Sequence, residues 1–155
     1  MTGTDLALYR SVRKDEFPGG VIVNDKAVEG VLYPSFTSKE IVNRHTGEIT
    51  KRDPDISPYP DGDEQFVDPG GGTSLFDKPN RFPKKYWWSF AIPKGTVVPE
   101  SLQIIFTGFN KRYDANHYQI EPTARRMPLG AYKGALDNLA RNAVVKLYEK
   151  AHAGG

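Results

Sequence analysis

Only the last quarter of the chain carries a sustained hydrophobic period; elsewhere apolar residues come in short runs divided by turn formers. Leu136, Leu139, Ala140, Ala143, Val144, Leu147, Tyr148 and Ala151 recur at intervals of three and four, which predicts an amphipathic helix from about Ala131 to Ala151. Leu6 to Val12 has the length and alternation of a strand, with Leu6, Leu8, Arg10 and Val12 on one side. An arginine therefore shares a side with apolar residues. After a turn at Phe17-Pro18-Gly19-Gly20, Val21-Ile22-Val23 reads as a short strand. Tyr86–Ile92, bounded by Pro83 and Pro93, Leu102–Phe106, and Asn116–Glu121, closed by Pro122, each predict a strand.

Several strands, one clear helix and no strand-helix alternation predict an α+β fold rather than a parallel α/β sheet. Between Lys39 and Gly70 the residues are mostly Asp, Pro, Gly, Ser and charged types without a period, so a long irregular loop is expected there. Loops of that length inside a compact domain are usually functional, which makes this one a candidate lid or substrate-facing segment. At 155 residues the chain is expected to form a single domain, 1–155, with one core.

Charge adds little, because 21 Lys and Arg against 19 Asp and Glu give a net +2, too small to argue for nucleic acid or an anionic membrane as partner. The absence of cysteine excludes disulfides and thiolate nucleophiles, and three scattered histidines predict no metal site. Met1 to Arg13 lacks the pattern of a secretory signal, and no apolar run approaches the roughly 18 residues of a membrane span. A soluble chain without a membrane partner is expected.

Three polar groupings are candidates for chemistry. On the Asn116–Glu121 strand a period of two sets His117, Gln119 and Glu121 on one face, with Tyr118 and Ile120 on the other. Gln-x-Glu in that arrangement suits chemistry at an anomeric carbon, where a carboxylate stabilises an oxocarbenium-like transition state and the amide orients an acceptor. The same face also reads as an ordinary solvated strand face. Arg10 offers a planar fork that matches a phosphate or a carboxylate, or a structural ion pair. Gly70-Gly71-Gly72-Thr73-Ser74 combines backbone freedom with two hydroxyls, which suits a nucleotide contact or simply a flexible turn. No Walker motif, Ser/His/Asp arrangement, zinc spacing or dinucleotide-fold glycine fingerprint is present.

Taken in order, Leu8-Tyr9-Arg10, Gly71-Gly72-Thr73-Ser74-Leu75-Phe76-Asp77, Ile92-Pro93-Lys94-Gly95-Thr96, Asn110-Lys111-Arg112, His117-Tyr118 and Leu136-Asp137-Asn138 with Arg141-Asn142-Ala143 form a set. That set resembles the Tse-two family of type VI secretion toxins. The resemblance is strongest from Gly71 to Ala151 and implies an ADP-ribosyltransferase-like fold, with split and curved antiparallel sheets and the C-terminal helix.

It also implies an NAD-dependent ADP-ribosyltransferase that arrests growth from the cytoplasm of a target cell. Delivery would be by an injection machine, and a cognate immunity protein would block the cleft. By the resemblance Arg10, Tyr9, Phe76 and His117 would bind NAD. Thr73 and Ser74, on a central strand, would join Gln119 and Glu121 as the catalytic set, the last two by likeness to the Gln-x-Glu element of other ADP-ribosyltransferases. Three other readings stay open: an NAD glycohydrolase toxin, an RNA-directed toxin using Lys111, Arg112 and His117, and a non-enzymatic binding module on the same fold.

Overall fold

The computed structural model describes residues 2–153. Its strands are β1 (Thr2–Gly3), β2 (Leu8–Arg13), β3 (Ile22–Val23), β4 (Lys26–Ala27), β5 (Lys39–Val42), β6 (Ile49–Arg52) and β7 (Tyr59–Asp61) in the first part of the chain. The remainder carries β8 (Glu64–Val67), β9 (Thr73–Phe76), β10 (Trp87–Ile92), β11 (Val97–Val98), β12 (Leu102–Asn110), β13 (Ala115–Pro122) and β14 (Met127–Pro128), followed by the helix α1 (Leu129–Ala153). The fold is α+β, built on mostly antiparallel sheets with one C-terminal helix.

A five-stranded sheet in the order β10-β2-β9-β13-β12 forms the centre, all its pairs antiparallel. Alternation puts Leu8, Phe90, Ile92, Leu75 and Ile120 on one face, and all are buried. The apolar stripe of α1 covers that face, with Tyr132, Leu136, Leu139, Ala140, Ala143 and Val144 in the same core cluster. Removing each large side chain from water stabilises the fold by about 1.5–3 kcal/mol. Lys150 and His152 in the last turn suit the negative end of the helix dipole.

The sheet is nearly parted in the middle. β2 meets β9 through the single pair Tyr9–Phe76, after which the two strands diverge. On its other side β9 is paired with β13 over four residues, Thr73 to Phe76. The divergence opens the sheet beside Arg10 and Ser74.

The segment expected to be irregular, 39–70, instead contains two hairpins, β5–β6 and β7–β8. Gly47 and Gly62 take positive φ in the turns, 71° and 66°, and the Asn43 side chain accepts hydrogen bonds from the amides of His45 and Thr46. Every residue of β5 and β6 is exposed. Without a buried face nothing in the sequence had to alternate, so the pattern carried no strand signal. The last strand of the sheet also runs longer than its apolar run suggests, because a bulge between Phe106 and Gly108 carries β12 on to Asn110.

Candidate active site

Where β2 and β9 part, a cleft of about 430 Å³ opens, and it draws on six parts of the chain. Arg10 and Ser74 form its floor, the Tyr33–Thr37 loop and Asp53–Asp55 one side, and Phe76, Phe82, Trp87, Tyr113 and His117 the other. Lys39 and Arg52, from the base of the β5–β6 hairpin, stand at its mouth. The volume lies within the usual range of small-ligand sites.

Arg10 shares its face of β2 with Leu8 and Val12, yet its guanidinium reaches into the gap. It donates to the carbonyls of Ser74 at 3.3 Å and Tyr33 at 3.0 Å, while its Nε is shut off from solvent and has no partner. Burial pushes its pKa down, partly opposed by the charges of Asp55 and Glu16. Among the described residues no carboxylate comes within salt-bridge distance of it, so a largely buried cation has no directly paired counter-ion. Such a group favours an anionic ligand, and phosphate offers the matching fork.

The loop that holds Arg10 is itself tied to the helix. Asp137 of α1 accepts from the amide of Gly30 at 2.9 Å and from the hydroxyl of Tyr33 at 2.6 Å. Burial, helped by that bond, holds the Tyr33 phenol above its ordinary range. Asp137 thus fixes the carbonyl to which Arg10 donates.

Opposite lies an aromatic wall. Phe82 stacks on Trp87 with centroids 4.6 Å apart and lies 4.8 Å from Tyr113, while Phe76 is 5.3 Å from both Tyr113 and His117. Arg13 rests over Trp87 at 5.6 Å. Burial lowers the His117 pKa, so its ring favours the neutral form in which it can stack and accept a hydrogen bond. A flat ring fits such a wall.

The eight residues singled out from the sequence do not all meet here. Arg10, Ser74, Phe76 and His117 line the cleft. Tyr9 is taken up in the Tyr9–Phe76 pairing and does not line it. Thr73 points the opposite way from Ser74, as adjacent strand residues must, and its buried hydroxyl donates to the carbonyl of Leu32 at 2.6 Å. Gln119 and Glu121 also lie outside: the amide of Gly70 donates to one Glu121 oxygen at 2.8 Å and Gln119 Nε2 to the other at 2.9 Å. With both oxygens engaged and only 8% of the residue exposed, Glu121 holds the Gly70 turn.

The glycines themselves are explained by packing. A Cβ on Gly71 would collide with the carbonyl oxygen of Asp55, and one on Gly72 with that of Ile120. The amide of Gly72 donates to the Asp55 carbonyl at 3.1 Å. The run therefore lets the Asp55 segment approach it closely at Gly71 and β13 at Gly72. Sequence reasoning missed Asp55 and Phe82, which stand outside any periodic run, and Trp87, which was read only as part of the Tyr86–Ile92 strand.

A family model described as "Tse2 ADP-ribosyltransferase toxin" matches residues 5–148. The curated "Toxin Tse2" of Pseudomonas aeruginosa is 34% identical over 157 residues, covering 96% of this chain and 94% of that protein. The chain belongs to the Tse2 ADP-ribosyltransferase toxin family. As a Tse2-family member it is a bacterial toxin effector and an enzyme, and the family implies NAD as its substrate. The matched span includes every wall of the cleft.

Proposed function

We propose that this toxin binds NAD in the cleft at the parting of β2 and β9 and transfers the ADP-ribose to an acceptor in the cytoplasm of a target cell, arresting growth. The observation that carries the reading is the Arg10 guanidinium, unpaired with any carboxylate, in a cleft that is also lined by a cluster of aromatic rings. Arg10 would hold the pyrophosphate, and Phe76 with His117 would stack on a ring of the dinucleotide. Ser74 lines the same floor and would contact the ribose. A cognate immunity protein that seals the cleft would silence the toxin in its producer, and delivery by a contractile injection machine would bring it to its target.

The test is incubation of the purified protein with labelled NAD and cell lysate. Label on a macromolecule together with free nicotinamide is expected. If neither is formed, the reading fails. Nicotinamide released equally well without lysate would mean that water replaces the acceptor and the protein hydrolyses NAD.

A further inference from the structure

Transfer of ADP-ribose breaks the bond between C1′ of the ribose and the nicotinamide nitrogen. The electron pair leaves with nicotinamide, which departs neutral, and positive charge develops at C1′ and the ring oxygen. The acceptor then forms its bond to C1′ and gives up a proton. Both events call for a carboxylate in the cleft with an oxygen free to act. Glu121 has none free, since Gly70 and Gln119 occupy both of its oxygens.

We infer that Asp55 is this carboxylate, and the inference rests on the cleft being the NAD site. Of the three acids lining the cleft, Glu16 and Asp53 are exposed, whereas the Asp55 side chain is 23% exposed. It is also held firmly. The Asp55 amide donates to Ser35 Oγ at 2.8 Å, its carbonyl accepts from Gly72 at 3.1 Å, and its Oδ2 accepts from the Ser35 amide at 3.0 Å. Its Oδ1 is left without a hydrogen bond, the nearest cation being the largely exposed Arg52 at 4.0 Å. The charge of Asp55 acts on both Arg10 and His117, which line the same cleft. Asp55 Oδ1 stabilises the charge forming at C1′, takes the proton of the incoming nucleophile and passes it to solvent.

The experiment measures nicotinamide release, NAD binding and thermal unfolding for wild type, Asp55→Asn, Asp55→Ala and Glu121→Gln. Asn keeps the acceptor for the Ser35 amide, and the two backbone bonds of residue 55 survive in every variant. Asp55→Asn is expected to release nicotinamide about a hundredfold more slowly, with NAD binding little changed. Added formate is expected to restore part of the rate of Asp55→Ala, because a small carboxylate can enter the space left behind. Glu121→Gln is expected to keep its rate within about threefold while unfolding at lower temperature. An Asp55→Asn variant as fast as wild type, or a folded Asp55→Ala variant that formate does not revive, overturns the inference. A wild-type protein that never releases nicotinamide overturns the NAD reading itself.

Discussion

Arg10 and Ser74 are joined across the parting of β2 and β9 by a hydrogen bond from the guanidinium to the Ser74 carbonyl, 3.3 Å long. The same guanidinium donates to Tyr33, so one side chain spans the gap. Lysine gathers its three donors on one nitrogen and cannot reproduce the planar fork whose two terminal nitrogens reach separate carbonyls. Arg10→Lys is expected to slow nicotinamide release by more than about tenfold, a loss of ~1.4 kcal/mol in transition-state stabilisation. Steady-state kinetics on folded variant, checked by circular dichroism, decide it.

The adjacent hydroxyls at Thr73 and Ser74 should separate cleanly. Thr73→Val leaves the carbonyl of Leu32 buried without its partner and is expected to cost about 1–3 kcal/mol of stability. Ser74→Ala is expected to unfold like wild type and to lower the rate of nicotinamide release, since its side chain lies toward the cleft. Denaturant titration beside an activity assay distinguishes the two, and equal effects on both properties would contradict the opposed directions of the side chains.

Glycines at different places should respond in opposite senses. Gly72→Ala drives a methyl into the Ile120 carbonyl, so β9 or β13 must shift, and a loss of several kcal/mol is expected. Gly134 stands in α1 with no atom within 4 Å of a built Cβ, so Gly134→Ala is expected to gain up to about 1 kcal/mol. Urea midpoints give both values.

His117 sets a pH dependence of stability. Burial holds its folded-state pKa below the ordinary 6.5, so between the two values the unfolded chain binds a proton that the native protein does not. Stability therefore rises with pH in that interval, and falls as pH drops through 6.5 before levelling below the folded value. Unfolding free energies measured at about pH 7.5 and pH 5.5 should show this difference, and His117→Asn should remove it.

Legibility in the sequence followed burial. The helix and the long sheet strands were readable because one face of each must be apolar, and Leu136 or Ile120 falls where the period demands. The β5–β6 hairpin was not, since both of its faces meet water. The same reason hid Asp55: its place depends on backbone contacts with Gly72 and Ser35, which leave no mark in a pattern of apolar and polar positions. Arg10 was readable because a charge among apolar neighbours departs from that pattern. Glu121 followed the strand alternation, but alternation does not say that a glycine turn will occupy both of its oxygens.

Gly71 and Gly72 were first a sign of possible nucleotide contact, and in the fold they are the place where one stretch of main chain rests on another. A descendant that lost all activity would still need both glycines in order to fold. The glycine pair is thus a demand of architecture, and its presence in a sequence would testify to this crossing of main chains without promising a working toxin.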